Sequence, residues 1–319
     1  MNKPSLLTRR LSVAHSASFT QDPPPTLTKS EADQNAILYY SCCAGDAAAV
    51  ATILDEDSNL NINSKHGRSG STSLFAASLR GKKNVVELLL ARPNCDVNLE
   101  RNDGTTPLII ASQEGHIEIV RLLLKSDSIQ VNKASRGRSP LFMACYKSNQ
   151  EIVSLLVNEK STNLNQKETE GELTSLMIAC TKGFDNIVEI LLTSELVDVN
   201  MVDKCGQTAF FMACLHGHGE VIQLLSVHRD IDASITRDSD HASPLQVACM
   251  MGHSSDTIAT ILATRGTDVG HVNDDGFTAM HYAEESNVND VIVMLSLLGG
   301  TSRKKREKND ELCQVCSIQ

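Results

Sequence analysis

The residues with the most obvious chemistry in this 319-residue sequence are its ten cysteines. Five of them occupy one position of a recurring phrase, where a buried and weakly polar side chain is favoured. Neighbouring helices pack about 8–10 Å apart, whereas a disulfide needs Cα atoms closer than roughly 7 Å. We therefore expect these five cysteines to be reduced thiols, which indicates a reducing compartment such as the cytosol or nucleus. They are Cys42, Cys145, Cys180, Cys214 and Cys249.

A histidine pair, His216-Gly-His218, has the look of two metal ligands. It falls, however, at a Gly-His turn position shared with His116 and His253, which favours turn packing and hydrogen bonding. The sequence contains no Ser/His/Asp order, HExxH motif, phosphate-binding loop or dinucleotide fingerprint. We therefore expect no catalytic site, no cofactor and no metal here, and an enzyme is the least favoured class.

The last four residues, Cys316-Ser-Ile-Gln319, resemble a C-terminal prenylation box, in which a terminal glutamine favours farnesyl. A single prenyl chain anchors a protein weakly, so stable membrane binding needs a second signal. Two are available: the basic run 303–308, and Cys313 as the carrier of a palmitoyl chain. The resemblance implies lipidation at Cys316 and peripheral association with the cytoplasmic face of a membrane.

Two other interpretations of this tail stay open. Cys313 and Cys316 also form a C-x-x-C, half of a zinc site, which resembles the opening of the MYND-type zinc fingers that follow some repeat arrays. No later Cys or His follows to complete four ligands, so that reading implies a truncated finger in a soluble cytosolic or nuclear protein. The third interpretation is a charged, flexible tail or a nuclear import signal.

The N-terminal tail, residues 1–35, is rich in Ser, Thr and Pro, a composition that does not bury a core. Arg9-Arg10-Leu11-Ser12 resembles a site for basophilic kinases and would make Ser12 a phosphorylation site. The same stretch is Arg- and Ser-rich and acid-poor, a composition that is also typical of a transit peptide.

Charge is distributed unevenly along the chain. The net charge is −10, and both ends are basic, so the excess of acids lies in the body between them. Nucleic acid is therefore not expected as a partner. No run approaches eighteen apolar residues, which argues against a membrane-spanning helix.

The body is built from a repeated phrase of Ser or Thr, a Pro or small residue in most copies, three mostly apolar residues and Ala. Its alanines recur every 33 to 35 residues, and a glycine follows most of them four residues later. Ser/Thr-Pro is a helix N-cap with proline at the first helical position, and the glycine ends that helix. An aliphatic stripe at i, i+3 and i+4 then predicts a second helix. The seven alanines are Ala77, Ala111, Ala144, Ala179, Ala213, Ala248 and Ala283.

This period and order of signals resemble the ankyrin repeat, whose motif reads Thr-Pro-Leu-His-x-Ala. The resemblance implies an all-α solenoid of about seven to eight helix-turn-helix units with short β-turn or hairpin connections. We expect the array at 36–300, between the tail at 1–35 and a basic flexible tail at 301–319. The approximate units are 36–65, 66–101, 102–135, 136–169, 170–203, 204–237, 238–273 and 274–300.

The resemblance implies a monomeric, non-catalytic adaptor or scaffold that binds a protein partner through its concave face and turn tips. The family's histidine position is unusually apolar here, so one apolar strip is expected to cross the middle of the array. The alternative is that these side chains pack between neighbouring helices. The residues of the expected strip are Phe142, Tyr146, Met177, Phe211, Leu215 and Met250.

Overall fold

The computed structural model describes residues 34–56 and 60–302. In these ranges the regular structure is helical, with sixteen helices in eight consecutive pairs and isolated antiparallel bridges at His66–Ser71 and Ser135–Arg138. None of the described helices is long and apolar enough to cross a membrane. The helices are α1 (Gln34–Ala44), α2 (Ala47–Glu56), α3 (Ser73–Leu79), α4 (Lys83–Leu90), α5 (Pro107–Glu114), α6 (Ile117–Leu124), α7 (Pro140–Tyr146), α8 (Gln150–Val157), α9 (Ser175–Lys182), α10 (Asp185–Leu192), α11 (Ala209–His216), α12 (Gly219–Ser226), α13 (Pro244–Met250), α14 (Ser255–Ala263), α15 (Ala279–Glu285) and α16 (Asn289–Leu297).

The first helix of a pair begins at a hydroxyl cap from α3 onwards. The Thr106 side chain, for example, accepts the N–H of Ile109 at 3.2 Å, and Pro107 takes the first helical position, where its missing N–H has no intrahelical partner to lose. Ser139 caps α7 in the same way, with Pro140 following. These caps confirm the start signals that the repeated phrase predicted.

The turn between the two helices of a pair needs a left-handed residue. Gly115 and Gly183 take φ values of 78° and 70° there, as the glycine spacing predicted. Ser148 and Asn287 occupy the same position with φ values of 60° and 53°. A left-handed side-chain-bearing residue costs roughly 1 kcal/mol, so packing with the neighbouring pairs imposes the turn even where the local sequence resists it.

The pairs stack in chain order, because each first helix packs on the first helix of the next pair and each second helix on the next second helix. The fourth residue of a second helix lies at the centre of this stack and is fully buried in seven consecutive second helices, α2 to α14. Burying such a side chain contributes about 1.5–3 kcal/mol. The seven are Val50, Val86, Val120, Val153, Val188, Ile222 and Ile258.

A row of asparagines joins the loops that follow the second helices, and we call it the asparagine ladder: Asn63, Asn98, Asn132, Asn165 and Asn200. Each side chain reaches across to the loop of the next pair with both ends of its amide. Asn165 Nδ2 donates to the Leu196 carbonyl at 2.8 Å, and its Oδ1 accepts the Asp198 N–H at 2.9 Å. Each of the other four asparagines makes the same two bonds, one to a backbone carbonyl and one to a backbone N–H in the loop of the following pair.

The ladder does not continue beyond Asn200. Ser234 takes the next position, and its hydroxyl and N–H both bond to Asp232 within the same loop. The backbone N–H of Ala233 donates to the backbone carbonyl of Arg265 at this junction, at 2.9 Å. Each junction before Ser234 is therefore bridged by an asparagine amide that makes two hydrogen bonds to the next loop. The shorter side chain of Ser234 makes no such bridge among the described residues.

Asn165→Ala tests the ladder. The substitution removes two hydrogen bonds across one junction, and a hydrogen bond contributes about 0.5–1.5 kcal/mol net. We expect the free energy of unfolding to fall by about 1–2 kcal/mol, measured as a lower urea midpoint at an unchanged m value.

Asn158→Ala is the matched control, since the Asn158 side chain bonds to Ser154 of its own helix. We expect this variant to change the free energy of unfolding by less than about 0.5 kcal/mol. Equal losses in the two variants would contradict a special role for the bridge between pairs.

Candidate partner-binding surface

The C-terminal ends of the first helices form one continuous band. Its members stand two and three residues after the repeated alanine, where the side chain leaves the interior in every pair. The third pair carries Gln113 and Glu114 at these positions, and from the fourth pair to the seventh the band is a mixture of cationic, aromatic, aliphatic and thioether groups. Between α7 and α13 the band consists of Tyr146, Lys147, Thr181, Lys182, Leu215, His216, Met250 and Met251, all of them half-buried or exposed.

The middle of the band is aromatic and cationic. Lys182 Nζ lies 4.8 Å from the centre of the Tyr146 ring, a cation–π contact between neighbouring first helices. Burial raises the pKa of the Tyr146 phenol, so this group is neutral at physiological pH. Lys147, the next residue in the chain, is exposed. This part of the band therefore offers an aromatic ring with the Lys182 ammonium over one face, next to the exposed Lys147 of the same helix end.

The C-terminal part of the band is apolar. Met250 and Met251 are 39% and 52% exposed, and Leu215 is half-buried on the preceding first helix. Burial lowers the pKa of His216, with His218 and His253 adding to the effect, so its ring is neutral at physiological pH. Methionine side chains adapt readily to different apolar surfaces, and this end of the band can accept an apolar side chain.

Three residues of the expected strip are not on the surface, and that expectation is corrected. Phe142, Met177 and Phe211 have exposures of 3%, 1% and 0%. Each is the third residue of its first helix, whose N–H bonds the capping hydroxyl, and that register directs the side chain between neighbouring pairs. The packing alternative is the correct one for these three, and Tyr146, Leu215 and Met250 are the members that reach the surface.

The histidines after the turn glycines belong to the joints between pairs. His218 Nε2–H donates to the Thr181 carbonyl at 3.1 Å, and His253 makes the equivalent bond to the Cys214 carbonyl at 2.8 Å. His116 reaches back to Leu79 in the same way. These bonds confirm the turn interpretation for His218, whereas His216 precedes the glycine and lies on the band. Over residues 34–56 and 60–302, no cluster of three or more His, Cys, Asp or Glu could hold a metal ion.

The five cysteines at the shared repeat position are all buried, as the sequence predicted, and they are free thiols. Burial raises the pKa of Cys42 and Cys249 to about 12. It also raises the pKa of the Cys145, Cys180 and Cys214 thiols. The thiolate is the reactive form of cysteine. Because these thiols stay protonated at physiological pH, they are unreactive and fill the core.

One acidic side chain that the sequence analysis passed over is structural. Glu168 is 4% exposed, in the loop that leads to α9. Its carboxylate accepts the N–H of Glu170 at 2.9 Å and also the N–H of Gly171. A backbone bond from Lys204 to the Gly171 carbonyl then ties this loop to the next one. The closely spaced glutamates at 168, 170 and 172 indicate an unusual loop. They do not reveal that the Glu168 carboxylate turns inward.

Three residues singled out in the sequence lie outside the described ranges: Ser12, Cys313 and Cys316.

Stacked helix pairs with coupled loops and an exposed band along one face define the class of repeat solenoids, which bind through an extended surface. Comparison with known families agrees. A family profile described as ankyrin repeats matches in overlapping stretches at 38–135, 74–168, 125–197, 160–236 and 176–273. The chain belongs to the ankyrin repeat family.

Several curated proteins share part of this array. The chain is 46% identical over 72 residues, 22% of its length, to a probable E3 ubiquitin-protein ligase, XBOS33, of Oryza sativa subsp. japonica. It is 39% identical over 94 residues, 28% of its length, to the E3 ubiquitin-protein ligase XBAT33 of Arabidopsis thaliana. With Rabankyrin-5 of Mus musculus it shares 26% identity over 144 residues, 44% of its length. The matched regions span 14%, 18% and 12% of those relatives.

Proposed function

We propose that this protein is a monomeric, non-catalytic adaptor or scaffold that binds a protein partner through the band between α7 and α13. The observation that carries the proposal is the exposed Met250–Met251 pair, in line with half-buried Leu215 and Tyr146 on the preceding first helices. An aromatic and thioether surface of this kind is typical of the anchoring part of a protein interface. The plant relatives share the repeats, and the ligase activity in their names is theirs.

The chemistry of the band defines the segment that it would accept. An apolar side chain fits against Leu215, Met250 and Met251, and an acidic residue fits beside Lys147 and Lys182. Because the first helices stack in a fixed register, successive anchors are presented by successive pairs. A partner segment with an apolar residue at one end and a carboxylate at the other matches this order.

A peptide display selection against the full chain tests the band, followed by dissociation constants for the selected peptides by fluorescence polarisation. We expect peptides with an apolar anchor and an acidic residue. Met251→Ser should weaken their binding about tenfold, since an interface anchor is commonly worth 1–2 kcal/mol. Lys182→Glu should weaken it by a similar factor and reduce its salt dependence, because only Lys147 then remains to pair with the acidic residue.

Val227→Ser is the control for this experiment. Val227 is as apolar and is 80% exposed, but it follows the second helix α12 and lies off the band. Its substitution should leave the dissociation constants unchanged. Selected peptides whose binding is insensitive to both Met251→Ser and Lys182→Glu would contradict the proposed surface.

We further propose that the array at 36–300 is tethered by the tail at 301–319 to the cytoplasmic face of a membrane, through a prenyl group on Cys316. The sequence support is the C-terminal box, with the basic run and Cys313 as second signals. Each basic residue near an anionic leaflet contributes about 1 kcal/mol. The soluble cytosolic or nuclear form, with Cys313 and Cys316 as part of a truncated zinc finger, is the competing outcome.

Intact mass and membrane fractionation of the protein from its own cells, beside Cys316→Ser, decide between these. The tether predicts a mass that has lost three residues and gained a prenyl group, with membrane association that disappears in Cys316→Ser. An unmodified C-terminus in the soluble fraction would contradict the tether. Cys205→Ser is the control, because Cys205 is an exposed thiol within the array.

A further inference from the structure

The last helix pair, α15 and α16, exposes apolar surface that the preceding pairs bury. Ile292 is half-buried, although the residue at its position is fully buried in the six second helices from α4 to α14. Stacking of a following pair is what covers this position elsewhere in the array. The end of a solenoid needs a polar cover to remain soluble, and Ile292 on α16 is without one among residues 34–56 and 60–302.

The outer side of α16 is apolar as well, which distinguishes it from the other second helices. Val293 and Leu297 are 59% and 83% exposed, one helical turn apart, and the adjacent Leu298 is 56% exposed. At the position of Val293 the preceding second helices carry polar residues or alanine: Glu87, Arg121, Ser154, Glu189, Gln223 and Ala259. Ile292, Val293, Leu297 and Leu298 thus form one apolar patch, which we call the end patch.

The chain path after α16 indicates what covers the end patch. The Gly300 N–H bonds back to the Leu295 carbonyl at 2.8 Å, which turns the chain across the end of the array. Thr278 Oγ1 then donates to the Thr301 carbonyl, and Ser302 Oγ donates to Glu284 Oε2, both at 2.7 Å. Ser302, the last described residue, therefore lies against α15, on the same end of the array as the end patch.

Charge and length favour the segment that follows. Residues 303–308 contain five basic residues, and the last helix pair presents the exposed carboxylates Glu284, Glu285 and Asp290.

Beyond the basic run, apolar residues recur every third position at Leu312, Val315 and Ile318. Packed helices lie about 8–10 Å apart, and ten residues of extended chain reach roughly 33 Å. The apolar residues can therefore reach α16 from Ser302.

We propose that residues 303–319 dock on the end of the array, with the basic run on the carboxylates of α15 and α16 and the apolar residues on the end patch. This contact is independent of any modification of Cys316. Where Cys316 carries a lipid, the docked tail and the membrane-bound tail are alternatives, because the same residues cannot occupy both surfaces.

Hydrogen–deuterium exchange of the unmodified full chain tests the docking, followed by mass spectrometry of peptides from 303–319. We expect tail amides to exchange roughly tenfold more slowly than their intrinsic rates. Val293→Ser with Leu297→Ser should return them to intrinsic rates without changing exchange within α13. Both side chains are exposed, so the double variant keeps the core intact. Lys304→Glu with Lys305→Glu should have the same effect on the tail.

Val227→Ser is again the control, because it removes an equally exposed apolar side chain far from α16 in the fold order. Tail amides that exchange at intrinsic rates in the unsubstituted chain would overturn the proposal. Protection that survives the Val293→Ser, Leu297→Ser double variant would place the tail elsewhere and would also overturn it. Protection that rises with protein concentration would show that a second copy covers the end patch.

Discussion

The whole structure depends on contact between adjacent helix pairs. Two helices of seven to eleven residues cannot bury an apolar residue on both sides, and isolated helices of that length are marginal in water. The stack solves this by burying the central aliphatic residue of one second helix between two neighbours. The asparagine ladder adds directional bonds at the loops, and the histidines after the turn glycines add bonds at the helix ends. Stability therefore resides in the junctions and not in the pairs.

The same contact fixes the exposed band that we propose as the binding surface. Because the caps set the start of the first helices and the pairs stack in one register, the side chains two and three residues after each repeated alanine fall on one band. Composition along this band varies freely, since these positions do not fill the core. The fold therefore does not dictate which residues stand here, and in this chain they include Tyr146, Lys182, Met250 and Met251. One architecture can serve different partners in this way.

Much of the fold could be predicted from the sequence because its signals are local. The hydroxyl–proline pairs, the glycine spacing and the aliphatic periodicity predict helix starts, turns and stripes, and the shared cysteine position predicts burial. Phe142, Met177 and Phe211 were harder, since an apolar residue on a short helix has the same period whether it faces a groove or a neighbouring pair. The partners of Asn165 lie more than thirty residues away, so no local pattern could reveal them.

The central claim is that the junctions, and the ladder in particular, hold the array together. Native-state hydrogen exchange of the full chain, followed helix by helix at increasing denaturant below the unfolding transition, measures the free energy of opening each part. The account predicts the highest values for α5 to α10, which lie within the ladder, and lower values for α13 to α16, which lie beyond Asn200. A single common value, or α13 to α16 opening last, would contradict it.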